Sequence, residues 1–357
     1  MSTTDWPQQP GGLPDGGGPS AGGRLRPFVK MAIALLLLAA LGWVLLLSAQ
    51  YCETKQPPSI VPPPVNRLFD KLSFEYVDSI NGLQNPMGVA VGQNGRVYVT
   101  ETGGERMIHV YNSLRQEVGS FAPPDTEALG RVPVYVAVSP NGDVYVSDRD
   151  AAAIYIFSPD GVAQGKVAPP KGFEDWHPLG LTFDPAGNLY VADVTPEKHR
   201  VIVLDPEGKL KLNFGSQGEE DGQFWFPNGM AVDSQGRIFV ADSNNGRMQA
   251  FDKDGKFLFK ISRGMSSGDL SIPRGIAIDS EDRLLIADTS RAAVQAYHIS
   301  ESAGSDPQSA AVEFLGGFSG DAGSGVSFQF PNGLALDGQG QIYVVDRANN
   351  RVQVWKY

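Results

Sequence analysis

The sequence predicts an all-β fold: a six-bladed β-propeller with four-stranded blades, closed by its N- and C-terminal strands and preceded by a single transmembrane helix. Three observations carry that expectation. One sentence of sequence is written six times, each copy has the pattern of strands joined by Gly-rich turns, and one uninterrupted apolar run lies near the N-terminus.

The copies are PMGVAVGQNGRVYVTE from Pro86, PVYVAVSPNGDVYVSD from Pro133, PLGLTFDPAGNLYVAD from Pro178, PNGMAVDSQGRIFVAD from Pro227, PRGIAIDSEDRLLIAD from Pro273 and PNGLALDGQGQIYVVD from Pro331. Each places an acidic residue 15 positions after its proline: Glu101, Asp148, Asp193, Asp242, Asp288 and Asp346. Successive prolines are 47, 45, 49, 46 and 58 residues apart.

Within a copy, Leu334 and Leu336 alternate with small residues, a turn follows at Asp337–Gly340, and Ile342–Val345 is β-branched and aromatic as strands prefer. Arg351–Trp355 supplies a third strand, and segments such as Lys209–Phe214 and Lys256–Ile261 supply a fourth after the turns DPEG and DKDG. Four strands per unit of 40–50 residues is the arithmetic of a propeller blade. The last copy stops after its third strand, while LSFEYV (Leu72–Val77) precedes the first copy and has a strand pattern of its own. That segment is expected to complete the last blade, which leaves no free sheet edge.

These residues resemble the NHL-repeat family of six-bladed propellers. The family pattern runs P-x-G, then a G-x-hydrophobic-aromatic-V strand, then D-x-x-N-x-R. It is met best by Pro227, Gly229, Asp242, Asn245 and Arg247, and by Pro331, Gly333, Asp346, Asn349 and Arg351. Departures are Tyr135 where the family has Gly, Glu101 for Asp, Asp282 for a turn Gly, and Ala153 and Ala293 where other copies carry Arg. The resemblance implies the fold and leaves the function open, because function resides in sites grafted on folds.

Residues 1–23 hold 7 Gly and 4 Pro and are expected to form a disordered cytosolic tail. Residues 24–49 carry Arg24, Arg26 and Lys30, then 19 uncharged residues (31–49), about 28 Å as a helix. No small-x-small cleavage pattern follows it. It is read as an uncleaved signal-anchor whose basic flank keeps the N-terminus inside and the propeller extracytoplasmic. Residues 50–67, with five prolines, are expected to be a stiff stalk, and 68–357 the propeller.

Cys52 is the only cysteine, so no disulfide within the chain is available. None of the Asn residues lies in an N-x-[ST] sequon, which for an outward-facing chain favours a bacterial origin. Of 29 basic and 40 acidic residues, five and three precede residue 68, leaving 24 against 37 and a net charge of −13 on the propeller. Such a field repels phosphate backbones, so no nucleic-acid partner is expected.

Strand alternation puts the blade prolines and acids at one end of every blade, together with most of the long loops. The binding face is expected there. Met87, Val134, Leu179, Asn228, Arg274 and Asn332 follow the prolines, Arg149 and Arg347 follow acids, and Trp176, His177 and Trp225 stand on the adjoining loops. The ligand- or partner-binding set is therefore Arg149, Trp176, His177, Trp225, Asn228, Arg274, Asn332 and Arg347. The six acids are read as structural, taking hydrogen bonds from the amides of the following loop.

No nucleophile motif, phosphate-cradling loop or convergent His set is found, and no metal or cofactor is expected. The leading expectation is a non-catalytic, membrane-anchored scaffold for an envelope or extracellular protein or peptide. A cell-surface polymer on Trp176 and Trp225 is a further option. The alternative is a metal-dependent hydrolase or lyase at the central channel, resembling gluconolactonase-like propellers or the amidating lyase.

Overall fold

Each blade proline pairs with its acid across one antiparallel hairpin: Pro86 with Glu101, Pro133 with Asp148, Pro178 with Asp193, Pro227 with Asp242, Pro273 with Asp288 and Pro331 with Asp346. The structure is a computed structural model that describes residues 72–124, 126–263, 269–300, 312–319 and 327–357. Those residues form six four-stranded antiparallel sheets. In blade 4, for example, the strands are Pro227–Val232, Ile238–Asp242, Arg247–Phe251 and Phe257–Ser262, counted from the channel outward. Tight turns close the far ends. At Asp233–Gly236 the Gly236 amide donates to the Asp233 carbonyl at 3.0 Å, with Gly236 at φ 78°, a conformation that glycine adopts without cost.

The ring closes as expected, with a shift. The closing strand is Glu75–Asn81, which pairs with Arg351–Lys356 so that Tyr76 faces Trp355 and Ile80 faces Val352. It begins three residues after Leu72 because the start of that segment packs elsewhere. Leu72 donates its amide to Leu315 of blade 5 at 3.0 Å, and the Phe74 ring lies 4.6 Å from that of Phe318.

The apolar core is distributed between blades. Tyr98, Val144 and Phe157 pack between blades 1 and 2; Leu189, Ile202 and Trp176 between blades 2 and 3; Phe239, Met248 and Leu284 between blades 4 and 5. Neighbouring inner strands also meet directly. Gly88, Gly180, Gly229, Gly275 and Gly333, each two residues after its proline, lie against the backbone of the next blade; a Cβ on Gly88 would stand 2.8 Å from the Val134 carbonyl oxygen, and one on Gly333 2.7 Å from that of Met87. Hydroxyls tie several of the same seams. Thr100 Oγ1 donates to Val134 O at 2.6 Å, Ser147 Oγ to Leu179 O at 2.6 Å, and Thr289 Oγ1 to Pro331 O at 2.6 Å.

The tail, the apolar run 31–49 and the stalk lie outside the described residues. Among the described residues, no helix is long and apolar enough to cross a membrane.

Candidate functional site

The six acids are buried, and their oxygens are largely taken up. Asp148 accepts from the amides of Val132, Asp150 and Ala151 at 3.0–3.1 Å. Asp242 accepts from the Trp225 amide at 2.6 Å, and from Asn245 Nδ2, Arg247 Nε and Gln249 Nε2 at 2.7–3.1 Å. Asp346 repeats this with Gln329, Asn349, Arg351 and Gln353. Each aspartate therefore anchors the segment that enters its blade, such as Val132 or Trp225, and not only the loop that follows, which is wider than the sequence reading allowed. Burial pushes the Asp242 carboxyl up, against the donors that surround it. Glu101 differs: its longer side chain meets His109 Nε2, whose Nδ1 reaches Glu117 at 2.8 Å.

Inside the ring, Tyr135 stands where the other blades have glycine. Its ring crosses the channel, and its hydroxyl reaches Asn228 Oδ1 at 3.2 Å and Asn332 Oδ1 at 3.0 Å. A phenol has one proton, so the two carboxamide oxygens share it. Asn228 in turn donates to Ser243 Oγ at 2.7 Å and to Phe226 O at 3.1 Å. Burial pushes the Tyr135 phenol far up. This cross-tie joins blades 2, 4 and 6 and divides the channel. Below it lies a cavity of about 280 Å³ lined by the inner strands, with Val91, Val138, Phe183, Val232, Ile278 and Leu336 near its tight-turn end.

Above it, on the proline/acid face, opens a pocket of about 360 Å³. Its apolar lining is Met87, Val132, Val134, Leu179 and Phe226. Four arginines, Arg106, Arg149, Arg274 and Arg347, stand among them, and the Arg149 amide donates to the Val132 carbonyl at 3.0 Å. Arg149 is exposed and faces Asp150 at 3.4 Å. Arg347 is half-buried, and burial together with Arg274 and Arg149 holds its guanidinium below the usual arginine range.

The expected binding residues thus divide. Arg149, Arg274 and Arg347 converge on the pocket. Asn228 reaches its wall, but its amide is committed to internal bonds. Asn332 is 1% exposed and belongs to the Tyr135 cross-tie, so it is not a surface residue. Trp176 is 2% exposed and packs between blades 2 and 3; the loop Lys171–His177 folds it inward, with Phe173 half-buried against the same cluster, as burial of aromatic area favours. A paired tryptophan platform for a polymer is therefore absent. Trp225 remains 44% exposed and is not itself part of the pocket lining. His177 is exposed, with Nδ1 at 3.0 Å from the Asp175 carbonyl oxygen.

Sequence reasoning missed Tyr135 and Phe226. Tyr135 was visible as a departure from the repeat, but its partners lie 93 and 197 residues away. Phe226 adopts φ 62° just before its proline and sets its ring 5.8 Å from that of His199. His199 Nδ1 accepts the Phe226 amide at 3.3 Å, and burial lowers its pKa.

Two stretches, 224–251 and 328–355, match the family model for the NHL repeat. Over 114 residues the chain is 34% identical to the B-box type zinc finger protein ncl-1 of Caenorhabditis elegans, covering 29% of this chain and 13% of that protein. Over 238 residues it is 34% identical to the E3 ubiquitin-protein ligase TRIM71 of Gallus gallus, covering 51% of this chain and 27% of that one. The chain thus spans well under a third of either relative. Among solved structures, a virginiamycin B lyase from Staphylococcus aureus crystallised with quinupristin superposes with a TM-score of 0.55 at 15% identity, covering 80% of this chain and 100% of that one. At that identity the likeness is one of fold. The chain carries NHL repeats at those two stretches and folds as a six-bladed β-propeller.

Proposed function

We propose that this chain is a membrane-anchored, outward-facing scaffold whose propeller binds a protein or peptide at the mouth on the proline/acid face, without catalysing a reaction. The observation that carries this reading is the mouth pocket itself. It is concave and lined by apolar side chains with arginines among them, which is the form of a recognition site. The groups a hydrolase or lyase would use are committed elsewhere. Asp148, Asp193, Asp242, Asp288 and Asp346 hold backbone amides. His109 lies between Glu101 and Glu117, and His199 accepts a backbone amide. His177 is left as the one histidine of this face outside such contacts, too few for a zinc centre.

The membrane part of the proposal rests on residues 31–49 and their basic flank, which together read as an anchor with the propeller outside. The net charge of −13 on the propeller disfavours a nucleic-acid partner and leaves a protein or peptide.

The test is metal content and thermal melting of the full chain in detergent, with and without chelator, then with added Ca²⁺ or Zn²⁺. The expected result is no stoichiometric ion and no change in melting. A tightly held ion whose removal lowers the melting temperature by several degrees overturns the non-catalytic reading in favour of the metal-dependent hydrolase or lyase.

A further inference from the structure

The arginines of the mouth are unlike the other buried arginines of the ring. Arg200, Arg247 and Arg351 each place Nε 2.7–2.9 Å from their blade's acid, and Arg237 and Arg283 lie 2.5–2.6 Å from an aspartate four residues earlier. Arg274 and Arg347 have no such partner: among the described residues neither guanidinium makes a hydrogen bond or ion pair, and the Nε of each is buried without an acceptor. Arg106 and Arg149 bring two more positive charges to the same pocket; Arg106 donates Nη1 to the carbonyls of Leu129 and Arg131, and Asp150, the neighbour of Arg149, is an exposed residue outside the lining.

Gathering four like charges, two of them partly desolvated and uncompensated, is unfavourable on its own. An oxyanion placed between them would accept from the Nη groups of Arg274 and Arg347 and supply the counter-charge, with the short charge-assisted bonds that guanidinium groups form best. The lowered pKa of Arg347 is in keeping with a cation short of a counter-ion.

We propose that the mouth pocket binds a single carboxylate carried on an apolar body. Arg274 and Arg347 hold the carboxylate, Arg149 closes the rim, and the body lies on Met87, Val132, Val134 and Leu179. This deepens the scaffold reading and rests on it. A monoanion fits better than a phosphate, because the propeller's net charge of −13 penalises each added negative charge and the apolar wall adjoins the cations directly. A volume of about 360 Å³ lies at the small end of ligand pockets, enough for one terminal residue or a small organic acid.

The test is calorimetric titration of the full chain in detergent with four probes: N-acetyl-leucine, its neutral amide, inorganic phosphate, and the peptide acetyl-Gly-Ser-Ala-Leu with a free carboxylate. N-Acetyl-leucine is expected to saturate one site, with the amide roughly tenfold weaker or more. Arg274→Gln and Arg347→Gln are each expected to lose a similar factor while melting like the unmodified chain, since neither side chain has an internal partner. A peptide that binds more tightly than N-acetyl-leucine assigns the site to chain termini, and one that binds less tightly assigns it to small acids. Equal affinity for acid and amide, tighter binding of phosphate, indifference to both substitutions, or no binding by any probe overturns the carboxylate site. Those failures leave the scaffold itself standing, which the chelator experiment examines separately.

Discussion

Five inner strands of the ring carry a glycine pressed against the next blade, and the sixth carries Tyr135 at the same place in the repeat. The glycines bring neighbouring backbones so near that a methyl group has no room. The tyrosine sends its side chain into the channel, where it touches two blades that are not its neighbours. One position therefore does two jobs: five copies seal seams, and one braces the ring across its centre. A repeat constrains what neighbours share, and a departure from it is where a non-neighbour contact can be built.

The largest effect expected from breaking this comparison comes from giving blade 2 the residue of the others. Tyr135→Gly removes a buried aromatic and its polar contacts and should cost about 3–5 kcal/mol in denaturant unfolding. It should also join the two halves of the channel into one cavity. Tyr135→Phe keeps the ring and loses the hydroxyl, and should cost about 1–3 kcal/mol because Asn228 and Asn332 each lose an acceptor's partner. Equal stability of Tyr135→Gly and the parent would show that the brace carries no load.

The converse change tests the seams. Gly180→Ala sets a Cβ into the Asn228 carbonyl of the next blade and should cost about 1–3 kcal/mol through backbone displacement. Gly130→Ala, where no atom lies within 4 Å of the added Cβ, serves as the reference and should change stability by about 0.5 kcal/mol at most. If the two substitutions melt alike, close approach at the seam is not what the glycine provides.

The smallest effect concerns pH at that same seam between blades 3 and 4. Burial lowers the pKa of His199 from its ordinary value near 6.5, and its Nδ1 accepts the Phe226 amide only when unprotonated. A lowered folded pKa means the contribution is present above the ordinary value and is lost as pH falls through the folded one. Stability should therefore decline below about pH 6.5, and His199→Gln should flatten that part of the profile. An unchanged profile in the variant would place the acid sensitivity elsewhere.

The blade count, the proline-to-acid register and the closing strand were legible in the sequence because each depends on near neighbours and fixed spacing. The mouth arginines were legible for the same reason, since strand alternation fixes which end of a blade a residue occupies. Trp176 was misplaced: a loop aromatic reads as exposed until the neighbouring sheets that can bury it are assembled. Asn332 was misplaced in the same way, because its partner Tyr135 is on a blade across the ring. Both errors arise where burial is decided by residues far away in the chain.

The pairing of Glu75–Asn81 with Arg351–Lys356 also sets a schedule. The strand that finishes the circle is among the first of the propeller to leave the ribosome, and its partner is the last. Until that partner emerges, Glu75–Asn81 has no ladder to join, and the opening across the unfinished circle cannot close. Every preceding blade can form from local hairpins within its own stretch, whereas the final pairing must bring together the most distant strands of the domain, at the entropic cost of a long loop. Completion of the circle is thus a late event, and a chain arrested before Arg351 would present unpaired strand edges to its surroundings.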